Sequence, residues 1–132
     1  MKLFKSLFVL FALILWGCSS NNTPEGVAAD FAKAVHQCDF KKALKYCSKN
    51  SKGTMEKQMA MFEEMQKAYP IEITRPEVSV VSCEIAEDNM SASVSVSVKN
   101  SSIIQKRDNE AIEITINLVK EDGKWMAEFD GR

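Results

Sequence analysis

Cys18 is the residue best placed for chemistry. It closes the run Leu15-Trp16-Gly17-Cys18, an aliphatic residue, a variable one, a small one and a cysteine, at the end of an apolar stretch from Leu7 to Leu15 that follows Lys2 and Lys5. A charged start, a short apolar core and a small residue before the cut are the parts of a secretory signal. With Cys in the final place, the pattern is that of a bacterial lipobox: the thiol receives a diacylglyceryl group as a thioether, the chain is cut before the Cys, and the freed amine takes a further acyl chain such as palmitate. The apolar stretch falls short of the roughly 20 helical residues that cross a bilayer. Two or three acyl chains, at about 0.8 kcal/mol per buried methylene, make an effectively permanent anchor. Trp16 is bulky for its place, so the competing reading is a signal cut elsewhere, but no Ala-x-Ala-like site follows. Residues 1–17 are thus read as signal, 18–23 as lipidated Cys and short tether, and 24–132 as one domain.

Three cysteines remain, Cys38, Cys47 and Cys83. An odd number in a compartment that permits disulfides allows one internal pair. Cys38 and Cys47 on one continuous helix would stand about 13 Å apart, beyond the ~7 Å that a disulfide spans between Cα atoms. Cys47 ends an inward helical stripe and Cys83 shares a strand face with Val81 and Ile85, so the expected bridge is Cys47 to Cys83, contributing at most about 4 kcal/mol. Cys38 to Cys83 is the rival. A metal site is not expected, because no Cys-x-x-Cys or His-containing ligand set is present.

Acid–base candidates are thin. His36 is the single histidine and falls beside Val35 at the edge of an apolar helical stripe, where a boundary residue is the ordinary reading. Asp30, Asp39, Tyr46, Tyr69 and Asp130 are types that a proton-transfer pocket could use. Asp39 is better placed as a helix cap, Asp30 as a solvated helix position and Asp130 as a chain-end residue. No Ser-His-Asp spacing, Gly-rich phosphate loop or metal motif occurs, so no catalytic residue and no cofactor is assigned.

The elements that must position these residues divide the chain in two. Thr23-Pro24-Glu25 starts a helix, with Thr23 as N-cap and Pro24 where its missing donor costs nothing. Val27, Ala28, Phe31, Val35 and Cys38 form its stripe. Asp39 caps a second, short helix with Phe40, Ala43, Leu44 and Cys47 inward. Ser48 to Gly53 break the pattern, and Thr54 then caps a third helix with Met55, Met59, Phe62, Met65 and Tyr69 on one face, stopped by Pro70. Its methionines read as core, with an adaptable binding surface as the alternative.

From Ile71 the period becomes two. Ile71, Ile73, Val78 and Val80, then after a slip Val81, Cys83 and Ile85, suggest a long bent strand with a bulge. Met90, Ala92, Val94, Val96 and Val98 alternate with Ser91, Ser93, Ser95 and Ser97 in a strand expected to have one buried face. A polar loop from Asn100 to Asn109 surrounds Ile103 and Ile104. Ile112, Ile114, Ile116 and Leu118 point inward on a third strand, Asp122-Gly123 makes a hairpin, and Trp125, Ala127 and Phe129 complete a fourth. The expected fold class is α+β, three N-terminal helices packed on a curved four-stranded antiparallel meander.

This order of elements, the run Asp39-Phe40-Lys41-Lys42-Ala43 and the closing Leu118-Val119-Lys120-Glu121-Asp122-Gly123-Lys124-Trp125 resemble bacterial lipoproteins carrying domain of unknown function 4878. That family is similar to the nuclear transport factor 2-like, or cystatin-like, group. Members usually carry Gly before the capping Asp, where this chain has Cys38. The resemblance covers residues 24–130 and implies a conical domain with a pocket between sheet and helices. It implies no reaction, because the fold hosts isomerases, dehydratases and binding modules alike.

Removal of residues 1–17 leaves 115 residues, enough for one domain, with a formal charge of about −3 from 15 basic and 18 acidic residues. With no basic excess to displace counterions, a nucleic-acid partner is not expected. Ser19, rather than Asp, follows Cys18, and no acidic run comes next, which points to the outer membrane, facing the periplasm. The expected function is an envelope-anchored, non-enzymatic module that holds a hydrophobic small molecule, a peptide or an envelope protein in its pocket or on the Ser91–Ser97 sheet face. A small isomerase or dehydratase on the same fold is the alternative, and a ligand-free structural lipoprotein a third reading.

Overall fold

The computed structural model describes residues 22–104 and 110–129. Three helices, α1 (Pro24–His36), α2 (Phe40–Leu44) and α3 (Lys49–Ala68), precede four strands, β1 (Glu77–Ile85), β2 (Ser91–Lys99), β3 (Ile112–Glu121) and β4 (Lys124–Glu128). The strands pair antiparallel in chain order, β1-β2-β3-β4. This is the α+β meander expected from the sequence. The lipobox, Cys18 and the start of the tether lie outside the described residues.

Local chemistry sets the helix ends. Thr23 Oγ1 accepts a hydrogen bond from Gly26 N at 3.0 Å with Pro24 in the first turn. At the other end, Cys38 N donates to Val35 O and Asp39 N to Ala34 O, the paired bonds of a Schellman turn. Such a turn needs a left-handed residue, and Cys38 supplies it with φ of 62°. A side chain there costs roughly 1–2 kcal/mol relative to Gly, which gives a physical reason for the Gly that the resemblance leads one to expect. Asp39 Oδ1 then caps α2 by accepting from Lys42 N at 3.2 Å.

α1 lies on the sheet. Val27, Ala28, Phe31 and Ala32 pack against the β2 row of Ala92, Val94, Val96 and Val98 and against Leu118, Trp125 and Ala127, all buried. The slip in β1 is a bulge between Val80 and Ser82. Asp122 and Gly123 both have positive φ, 52° and 79°, the conformation of a type I′ hairpin turn. Asn22 is tied to β4: its Oδ1 accepts from Trp125 N at 2.9 Å and its Nδ2 donates to Trp125 O. Asn22, in the expected tether, is thus bonded to the domain, and the chain from Ser19 onward carries every described core element.

Three expectations change. α3 starts at Lys49 rather than after Thr54, because Ser48 and Ser51, polar in sequence, are buried and spend their hydroxyls on β4 rather than on breaking the helix. Residues 71–76 are not strand; Thr74 binds the loop after β2 instead, its hydroxyl donating to Asn100 O at 2.6 Å and its backbone N–H to Ser102 Oγ at 2.7 Å. The Cys47–Cys83 bridge does not form, and Cys38, Cys47 and Cys83 are free thiols. Cys47 pairs with Ala127 outside β4, whereas Cys83 lies on β1. Four strand spacings of about 4.8 Å separate the two columns. Cys38 is no better placed: Cys83 contacts Glu25 in the first turn of α1, and Cys38 follows its last turn, about 20 Å away at 1.5 Å per residue.

Candidate functional site

α3 is tied to the sheet at its N-terminal end and stands away from it beyond. At its start, Ala127 N donates to Tyr46 O at 2.6 Å and Ser48 N to Ala127 O at 2.8 Å. Ser51 Oγ accepts from Phe129 N at 2.6 Å, and the Glu121 carboxylate accepts from Lys49 N at 3.1 and 3.2 Å, satisfying a free donor of the helix N-terminus with a favourable charge. Ser48 Oγ lies 2.5 Å from Glu128 Oε1 and 3.0 Å from Ser51 Oγ. One hydroxyl proton cannot serve both, so Ser48 donates to the carboxylate and the Ser51 proton closes the link. At the far end, Gln66 clasps Ile71 through both its amide oxygen and nitrogen.

Beneath α3 lies a half-open cleft of about 940 Å³. Phe31, Val35 and His36 of α1 form its back, Ile114 and Ile116 of β3 with Phe129 its floor, and Thr54, Gln58, Met61 and Met65 of α3 its roof. Ile103 and Ile104 stand at its mouth. The methionines of α3 divide: Met55 is fully buried and Met59 packs half-buried against the core, while Met61 and Met65 are 64% and 42% exposed. The helix face read as packing is therefore split, core at its N-terminal end and cleft wall beyond it. Phe40 and Phe62, with ring centroids 5.3 Å apart, hold α2 and α3 together behind the cleft.

His36 is buried, not a boundary residue. Its Nδ1 lies 2.6 Å from Ser101 Oγ. That oxygen also accepts from Ile103 N at 3.2 Å and Ile104 N at 3.1 Å. Two backbone donors fill both acceptor positions of a serine hydroxyl, so Ser101 must donate its proton to Nδ1. His36 is thus a neutral imidazole with its proton on Nε2. Burial lowers its pKa from the ordinary value, in keeping with a neutral ring. Protonation would turn Nδ1 into a donor and set it against the Ile103 and Ile104 amides for the same oxygen.

A pH dependence of stability follows. A depressed histidine pKa means that the unfolded chain binds the proton more readily, so the contribution of His36 is complete above about pH 6.5 and is lost as pH falls through that value toward the lower folded-state pKa. Urea midpoints taken between pH 7.5 and 5 should fall with acidification for the native chain. The decline should be smaller for His36→Phe.

The other sequence candidates scatter. Asp30 is exposed, Tyr69 is 76% exposed and Asp39 is spent on its cap. Tyr46 is half-buried, its pKa raised by burial and by Asp30. Asp130 lies outside the described residues. Burial, only partly opposed by Lys52, pushes the Cys47 thiol up to about 11, and burial followed by Glu25 and Glu84 pushes Cys83 up to about 11; burial also raises Cys38. Protonated thiols of this kind are poor nucleophiles and poor ligands. Among the described residues, no group of three or more metal-ligating side chains occurs, and no helix is long and apolar enough to cross a membrane. Ser101 and Glu128 were not anticipated; two isoleucines inside an otherwise polar loop were the signal that residues near Ser101 face something apolar.

No family model matches the chain, and no curated protein does. Solved structures do. The chain is similar to an NTF2-like transpeptidase of Campylobacter jejuni, with a TM-score of 0.55 and 21% identity over 82% of this chain and 99% of that one. It is also similar to a SEC-C motif containing protein of Rhodopseudomonas palustris, with a TM-score of 0.54 and 13% identity over 87% and 82% of the two chains. At these identities the likeness is one of fold, and the fold is NTF2-like.

Proposed function

We propose that the chain is a cell-envelope lipoprotein, anchored by acyl chains on Cys18 on the periplasmic side of the outer membrane, whose NTF2-like domain holds an apolar small molecule or peptide segment in the cleft beneath α3. The observation that carries the binding role is the cleft itself. It has the size and apolar lining with a few polar groups that ligand sites share. Its wall includes methionines, whose flexible thioethers adapt to varied shapes. His36 is committed through Nδ1 to Ser101, which suits it to orient a ligand and leaves no imidazole nitrogen free to accept a proton. On the motifs given above, we assign the chain to the lipoproteins with domain of unknown function 4878. The Asn22 clasp supports a short tether: from Cys18 to Asn22 the chain can extend at most about 14 Å, so the ligand would be exchanged close to the membrane surface.

Native mass spectrometry of Ser19–Arg132, after incubation with an extract of its own cell envelope, tests the binding role. The expected result is a retained small-molecule or peptide mass that is lost in Thr54→Trp, where an indole on the α3 roof fills the cleft. A bare chain in both spectra would count against it.

A further inference from the structure

We propose that the cleft takes a neutral, largely apolar molecule through one hydrogen-bond acceptor, a carbonyl or ether oxygen, met by the Nε2–H of His36. The inference rests on the cleft being a ligand site and says which chemistry that site selects. Ser101 Oγ, filled by the Ile103 and Ile104 amides, can only donate to Nδ1, so the imidazole proton must sit on Nε2. No described residue accepts from Nε2. Every sealed side-chain nitrogen or oxygen among the described residues has a partner, so Nε2 is not sealed, and His36 lines the cleft. A donor set in an apolar wall is matched by an acceptor on whatever enters.

Charge narrows the class. Among the described lining residues there is no Lys or Arg, and the one charged side chain is Glu128. A carboxylate or sulfonate entering the cleft would give up hydration and meet the like charge of Glu128. A neutral ester, amide or ketone would not. The site therefore selects against anionic amphiphiles such as free fatty acids and for neutral acceptor-bearing molecules of comparable apolar size.

Three fluorescent probes separate these chemistries on Ser19–Arg132: prodan, a neutral naphthyl ketone; N-phenylnaphthylamine, neutral without a carbonyl; and anilinonaphthalene sulfonate, an anion. The expected order of affinity is prodan first, with about a tenfold lead over phenylnaphthylamine, the size of one good net hydrogen bond, and the sulfonate last. In His36→Phe the prodan lead over phenylnaphthylamine should collapse. The comparison of probes on the native chain stands even if that variant does not fold. Equal affinities for the two neutral probes, or a preference for the sulfonate, would overturn the inference while leaving the cleft as a binding site. Binding of no probe, or binding that Thr54→Trp does not reduce, would overturn the cleft reading and this inference with it.

Discussion

Trp125→Ala should cost the domain about 3–5 kcal/mol, the range for removing a buried aromatic side chain, and lower its melting temperature by roughly 15 °C or more at 4–8 °C per kcal/mol. Trp125 is 5% exposed in the short edge strand β4. It packs into the core formed by α1, β2 and β3, its backbone receives the Asn22 clasp, and Lys120 lies 5.0 Å above its ring. The substitution empties the core at the edge where β4 must also support Cys47, Ser48 and the start of α3. Trp125→Phe should recover more than half of the loss, because it restores apolar volume without the indole. Lys120→Ala should cost less than about 1 kcal/mol, the value of an exposed cation–π contact. Urea denaturation of the three variants checks these figures. A loss below about 1 kcal/mol in Trp125→Ala would mean that the β4 edge is not part of the cooperative core.

Cys18→Ser should abolish incorporation of labelled palmitate and, because the lipobox cut depends on the Cys, leave residues 1–17 attached. A single myristoyl chain binds membranes marginally, but two or three chains at about 0.8 kcal/mol per methylene hold the native protein against any ordinary wash. Fractionation of cells expressing the native chain, with palmitate labelling and intact mass of native chain and variant, provides the check. Native protein that stays soluble, or a variant that still incorporates palmitate, would remove the anchor from the account.

The elements with a strong local period were legible in the sequence. The alternation of Val and Ser in β2 allows one register against a single buried face, and Thr23-Pro24, Asp39 and Asp122-Gly123 act through bonds within a few residues of themselves. The start of α3 was not legible, because the hydroxyls of Ser48 and Ser51 are satisfied by Glu128 and Phe129, some 80 residues away in sequence. Long-range partners of that kind override local propensity. The cysteine pairing failed for a related reason. Periodicity says that Cys47 and Cys83 face the core, but it does not say that one lies outside β4 and the other on β1.

The cleft shows the same division. Its apolar residues could be read from their spacing, since Phe31, Met55, Phe62, Ile114 and Ile116 all fall on stripes expected to face inward. That a space remains among them depends on how α3 leaves the sheet beyond its N-terminal ties, the side-chain bonds at Ser48 and Ser51. The tautomer of His36 depends on Ser101, 65 residues away, and on the turn that brings two further amides to one oxygen.

The methionines offer the most direct measurement of the central claim, that the cleft beneath α3 is a ligand site. Methyl-labelled methionine in Ser19–Arg132 places reporters in the cleft at Met55, Met61 and Met65 and away from it at Met90 and Met126. Titration with N-phenylnaphthylamine, followed by nuclear magnetic resonance, should shift the first three signals saturably and leave Met90 and Met126 unmoved. Shifts confined to Met90 or Met126, or no saturable shift at Met55, Met61 and Met65, would contradict the claim.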